Sequence, residues 1–338
     1  MEQAETTDYF KILSSDSPDW LKDYIDTKEL QTQKYISTTC GTIYSNMFGN
    51  NIFYSSLDHS IAVALIVWHF TKDKKQTLAG LFHDIATPAF KHCVDFLNDD
   101  YEKQESTEEL TTHFIKKSED VLRLLKNDCI KVEEINDYHI YPIADNDTPK
   151  LSADRLEYSL SNALFTYKLL DLEEIREIYN DIEIERNESG ESELGFKTKS
   201  IARKFVQVTS KMSVIYRDDR NRFSMQFIAD ILKGLKESGE ITIEELYDKQ
   251  EYDVIEIIEK SKYKDAWNIW KKAKKINISK TKPENVYYVH QKTKVRYIDP
   301  PCNGERMSKI CKIAKNAIDK NLSYDMSNYV YLDFKLEK

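Results

Sequence analysis

Glycine and proline are scarce in this chain, at 8 and 7 of 338 residues. That scarcity excludes collagen-like and linker-like chains, and it weakens an all-β reading, which needs frequent turns. Cysteine is also sparse: five residues, an odd number, with no CxxC pair. Free thiols in a reducing compartment follow, rather than a disulfide framework. Long apolar runs are missing. The longest, residues 61–68, falls far short of the roughly 20 residues of a membrane span. The first residues are acidic and have no apolar signal core. A cytoplasmic protein with no membrane partner is expected. Basic charge is in deficit too, with 49 Lys and Arg against 58 Asp and Glu, a net of −9. General nucleic-acid binding is therefore not expected, because a phosphate backbone needs a positive face. A small anionic substrate stays possible, since a few local cations suffice for it.

Histidine, by contrast, is present and clustered. Six of the seven histidines, His59, His69, His83, His92, His113 and His139, fall in the first half, and His290 stands alone. The apolar stretch 57–70 (LDHSIAVALIVWHF) reads as a buried helix. Residues 78–85 read as a second helix, stopped by Thr87-Pro88, and residues 90–97 as its resumption. Ser106 or Thr107 is the expected cap of a helix running towards Thr112. Residues 117–125 are a further helix, 141–149 a loop, and 151–170 a long helix. From Pro149 to Pro283 no proline occurs, and helical spacing (Ile201, Phe205, Val208, Met212) predicts helices with one charged break near 185–193. Residues 286–298 (VYYVHQKTKVRYI) alternate and read as a β-hairpin; 308–318 reads as a helix and 329–334 as a last strand. The expected fold is all-α with a small α+β element near the C-terminus. It divides into a helical extension (1–48), a core (49–175), a second helical extension (176–280) and the small α+β element (281–338).

His59 opens an apolar helix, His83 and Asp84 adjoin at the end of another, and Asp154 opens a third. Burying such groups without partners is costly. One divalent metal ion, Mn, Fe, Co, Ni, Zn or Mg, answers all four at once. The stretches LDHSIAV, GLFHDIATPAFKHCVDF and ADRLEYSL resemble the HD superfamily of metal-dependent phosphohydrolases, and within it the deoxynucleoside triphosphate triphosphohydrolase branch. The resemblance spans about residues 50–170 and fades after that. It implies His59, His83, Asp84 and Asp154 as metal ligands. It places His92 at a phosphate oxygen or bridging water, with Asp95 supporting it from one turn away. Arg155 would pair with phosphate and Tyr158 would pack on a sugar. Lys91, Lys103, Lys294 and Arg296 are further cations for the phosphate, with the tail segment KVRYIDP also fitting related proteins.

The chain departs from the branch at three places. Gln104 stands before Glu105 where a His serves as general acid, Thr87 replaces a His, and Ser56 replaces an Arg. Gln104 and Glu105 thus become the candidates at the acid's place, and His92 or His113 alternative proton donors. His69 fits core packing, His139 lies before a loop, and His290 faces solvent. The 21 tyrosines read as packing and surface, and residues 271–275 (KKAKK) as a solvated helix face. The resulting expectation is a metal-dependent phosphohydrolase acting on a nucleotide or related phosphate ester, assembled as a homo-oligomer. Alternatives are a nucleotide-binding regulator without turnover and a di-iron oxygenase, which would need two more histidine ligands.

Overall fold

The computed structural model describes residues 2–49, 52–98, 100–102 and 110–336. It is mainly helical, with 17 α-helices among the described residues and two small sheets. Among the described residues no helix is long and apolar enough to cross a membrane.

An antiparallel helix pair, Ser56–Thr71 and Lys74–Phe82, forms the centre. Ser55 caps the first helix reciprocally with Asp58, which satisfies the orphan amides at its start. Lys72, left-handed at φ 52°, ends it, and Asp73 caps the next. The two helices approach closely at Gly80, where an added Cβ would lie 3.3 Å from methyls of both Val63 and Val67. Helix Ala153–Ser161 packs on the Ser56–Thr71 helix. Around these helices lies the larger apolar core, with Ala62, Val63, Ile66, Leu78, Leu81, Leu156 and Leu160 all excluded from solvent. A second core gathers on helix Asp219–Glu237 and takes in Phe90, Cys93, Trp267 and Trp270. The chain crosses between the two cores at residues 84–93. There Phe90 and Lys91 both hold positive φ, 65° and 44°.

Several elements differ from the sequence expectation. The second helix stops at Phe82, so His83 and Asp84 sit in the turn that follows, and the resumed helix is only Cys93–Leu97. The expected helix through 170 is α-helical only to Ser161. It then widens into a π-type turn, Asn162–Thr166, closed by the Tyr167 amide on the Asn162 carbonyl at 2.8 Å. The charged break near 185–193 is a hairpin, Ile182–Arg186 with Ser192–Phe196. The alternation in IEIER carried that signal.

The hairpin expected at 286–298 does not form. Tyr288–Val289 pairs with Tyr329–Tyr331, which also pairs with Asn277–Ser279. Residues 290–300 run as an irregular strap, pinned from outside. Arg222 Nη1 donates to the Gln291 carbonyl (2.6 Å), Lys294 N to the Tyr101 carbonyl (3.2 Å), and Asn321 Nδ2 to the Arg296 carbonyl (2.9 Å). The strap's polar backbone thus has partners without a ladder. The cap expected at Ser106 or Thr107 lies outside the described residues.

Candidate metal centre

The central helices bring four side chains from three segments to one point. His59 lies one turn into Ser56–Thr71, His83 ends Lys74–Phe82, Asp84 follows it, and Asp154 sits in the first turn of Ala153–Ser161. His59 Nε2 and His83 Nε2 are 3.2 Å apart. Asp154 Oδ1 is 3.2 Å from the first and 3.8 Å from the second. Asp84 Oδ2 is 3.9 and 3.7 Å from the same two nitrogens. One donor atom from each of His59, His83 and Asp154 fits within 4.8 Å of the others, a grouping that can hold a metal ion.

The chemistry of the donors fits a cation. The Nδ1 atom of His83 lies 2.7 Å from the Gly80 carbonyl, so that nitrogen carries the proton and donates it. The Nδ1 atom of His59 is bonded to Glu157 Oε2. Both Nε2 atoms are thereby aimed at the shared point, as carboxylate or carbonyl partners do for metal-bound histidines, and a bound ion would displace the proton from His59 Nε2. Glu157 is fully buried and anchored in turn by Tyr54 (2.7 Å) and Tyr9 (3.2 Å) hydroxyls and by Ser161 (3.3 Å).

Three carboxylates, Asp84, Asp154 and the fully buried Glu157, stand around the two imidazoles, and their negative charge needs positive partners, of which Lys91 is one. Burial opposes charge on His59, yet Glu157 and Asp154 raise its pKa to about 10. Burial likewise works against ionised Asp84, but Lys91 and the two imidazoles hold it well below the usual carboxylate range. Asp154 is lowered against the same burial by His59 and His83.

Above this point opens a cleft of ≈ 360 Å³. Of the residues singled out in the sequence, it is lined by His59, His83, Asp84, Lys91, His92, Asp154, Arg155, Tyr158, Lys294 and Arg296. Lys91 is nearly buried, with Nζ 2.7 Å from Asp84 Oδ2. His92 directs Nδ1 to the fully buried Asp95 at 2.8 Å, leaving Nε2 for the cleft. Asp95 itself does not line the cleft. Arg155 is held by Asp145 (3.0 Å) and Asn146 (2.8 Å). Lys103, Gln104 and Glu105 lie outside the described residues.

The remaining histidines separate. His139 lines the cleft mouth, its Nε2 3.3 Å from Asp145. His113 is exposed and outside the lining. His69, expected in the core, is exposed at the rim of Phe70 and Tyr179. His290 is exposed and stacks on Tyr329.

Sequence reasoning missed several groups. Glu157 was one, although its place three residues after Asp154 among apolar neighbours was a signal. Tyr167 and Tyr216, set aside with the other tyrosines, line the cleft beside Tyr158. The polar segment Thr38–Thr42 and Asn221 reach it only through tertiary packing.

No protein-family model matches the chain. An uncharacterized protein of Bacillus subtilis, YdhJ, is 25% identical over 244 residues, 72% of each chain. Two solved structures share the fold over nearly the whole length. One is a hypothetical protein from Aquifex aeolicus, with TM-score 0.63, 16% identity, and 94% and 93% of the two chains covered. The other, from Bacteroides thetaiotaomicron, is named a phosphohydrolase, with TM-score 0.60, 12% identity, and 92% and 94% covered.

Proposed function

We propose that this chain is an HD-type, metal-dependent phosphohydrolase acting on a nucleotide or related small phosphate ester. The observation that carries the reading is the convergence of two oriented imidazole Nε2 atoms with the Asp84 and Asp154 carboxylates at the floor of a cleft. The shared fold with a protein named a phosphohydrolase agrees with it.

His59, His83, Asp84 and Asp154 would hold a divalent ion. When bound, such an ion supplies Lewis acidity toward a phosphoryl oxygen and lowers the pKa of a coordinated water. The chain's own residues do the rest. Glu157 and the Gly80 carbonyl fix the tautomers of the two imidazoles. Lys91 offsets negative charge beside Asp84. Its pKa is raised, because the Asp84 carboxylate outweighs the burial that acts against its charge. His92, steadied at Nδ1 by Asp95, presents Nε2 as a hydrogen-bond or proton-transfer group to the phosphate. Arg296 and Lys294, on the strap, add positive charge to the cleft's lining.

A panel of nucleotides and simple phosphate esters, assayed with Mn, Mg, Co or Ni and read by chromatography, tests the reading. Metal-dependent phosphate release that disappears in Asp84→Ala is expected. Undiminished release by Asp84→Ala would refute it. Tight nucleotide binding without release under any metal would point to a regulator instead.

A further inference from the structure

The turn that carries Lys91 is a strained one. Phe90 and Lys91 both hold left-handed backbone, at φ 65° and 44°. An L side chain enters that region only under constraint, whereas glycine enters it freely. The constraints come from the packing. Phe90 is fully buried against Tyr44 and Trp267, its ring 6.3 Å and 6.5 Å from theirs. The Ala89 amide donates to the Leu246 carbonyl at 2.8 Å. Gln33 Nε2 donates to the carbonyls of Ile85 (3.2 Å) and Thr87 (3.3 Å). The backbone at position 91 would suit a glycine, yet a lysine stands there, buried, with its ammonium 2.7 Å from Asp84 Oδ2.

That oxygen also faces the metal point. It lies 3.9 Å and 3.7 Å from the Nε2 atoms of His59 and His83, so it is the atom that Asp84 would offer to an ion. The tighter grouping, within 4.8 Å, comprises His59, His83 and Asp154 without Asp84. Asp84 is thus the outlying donor of the four, and it is held by a cation. An ammonium and a divalent ion that share one carboxylate repel each other across a few ångströms, and in a partly buried site that repulsion is weakly screened. A phosphoryl group reverses the sign of the contact, because its oxygens can accept from the ammonium and bind the ion at the same time. Lys91 lines the same cleft as the four ligands, so a phosphoryl group bound at the metal point is within its reach.

We propose that Lys91 couples the metal to the phosphoryl group: its ammonium weakens the cluster's hold on a lone divalent ion and strengthens it once a phosphoryl group is bound. The proposal rests on the phosphohydrolase reading above and adds how that site fills. Ion and phosphoryl group bind as a cooperative pair. By linkage, the factor by which phosphate tightens the ion equals the factor by which the ion tightens phosphate, so the coupling can be read from either side.

Calorimetry on the full chain tests it, with Mn titrated in the absence and presence of inorganic phosphate, and phosphate titrated with and without Mn. Lys91→Met should bind Mn alone at least about tenfold more tightly than the wild type, because a like charge has gone. Its coupling factor should fall at least about tenfold, as expected for the loss of one hydrogen bond between charged groups. Lys91→Gly, which suits the left-handed backbone, should give the same two changes and guards against a folding failure of the first variant. Weaker Mn binding in both variants with the coupling factor unchanged would overturn the proposal, since Lys91 would then only orient Asp84. Mn affinity and coupling equal to those of the wild type would overturn it too. Either result leaves the phosphohydrolase reading standing if the wild type releases phosphate from an ester. A wild-type chain that binds no Mn and releases no phosphate from any ester overturns both.

Discussion

The metal cluster and the rest of the cleft's lining are built in opposite ways. At the metal cluster every group sits on or beside a regular helix and has a buried partner: His59 has Glu157, His83 has the Gly80 carbonyl, and Asp84 has Lys91. The rest of the lining comes from an irregular strap at 290–300, a polar segment at Thr38–Thr42 and the π-type turn at Asn162–Thr166. Metal binding needs donors fixed within a fraction of an ångström, and regular elements with locked side chains provide that. Recognition of a small molecule tolerates more irregular backbone, provided that side chains tie it down. The comparison separates changes that should abolish chemistry from changes that should only re-tune binding.

The largest effect is expected at the metal cluster. His59→Ala or Asp84→Ala should lower phosphate release to below about a thousandth of the wild-type rate, because electrostatic stabilisation at the phosphorus is lost with the ion. Metal content after dialysis, measured by mass spectrometry, should fall in parallel. Retained metal with retained rate would break the distinction between the two regions.

Glu157→Gln is the next largest. It leaves all four donor side chains in place but weakens the acceptor that orients His59. A 10–100-fold loss of metal affinity is expected, the usual size for a group that holds a ligand from behind. Excess metal should restore most of the rate, which would not happen if Glu157 touched the substrate. On the strap, Arg296→Ala should cut kcat/KM about 10–100-fold through KM, the worth of one charge-assisted hydrogen bond, with metal affinity unchanged. An Arg296 variant that lost metal instead would show the two regions to be one unit.

The same contrast explains what was legible in the sequence. His59, His83, Asp84 and Asp154 stood out because polar groups in apolar helical segments demand a common partner, and the helices that carry them obey local periodicity. Glu157 obeyed it as well, but its burial comes from Tyr9 and Tyr54, which lie far away in the chain. The strap at 290–300 was misread as a hairpin because its alternation is real, while its hydrogen-bond partners, Tyr101, Arg222 and Asn321, are set by tertiary packing. Tyr167 was placed on a helix that instead widens after Ser161, and this turn brings the ring into the cleft. Local pattern thus reached the metal cluster, and of the remaining lining it left Tyr167, Tyr216, Asn221 and the segment Thr38–Thr42 unread.

The smallest effect concerns what joins the two regions. Glu251 is fully buried at the start of helix Glu251–Lys260. It accepts from the Tyr44 hydroxyl (2.7 Å) and the Ser37 amide (3.2 Å), and so ties down the segment that contributes Thr38–Thr42 to the cleft. Burial pushes its pKa up from 4.5 to about 7, with Tyr44 and the backbone amides pulling the other way. A carboxyl with a raised native pKa binds its proton more tightly in the folded chain than in the unfolded one, so protonation favours the fold. The stabilisation is fully present below pH 4.5 and is lost as pH rises towards 7, by about 3 kcal/mol over the window. The groups facing Glu251 do not titrate there. Burial raises the pKa of Cys40, Cys93 and Tyr44, and that of Lys91 is raised by Asp84 against its own burial. Glu251→Gln keeps an acceptor for the Ser37 amide but has no charge to acquire. Denaturant melts at pH 5 and pH 8 should therefore show the wild type losing stability between the two, and the variant losing less by about that amount. An identical pH dependence in both proteins would mean that Glu251 ionises normally and that the segment is held by its packing alone.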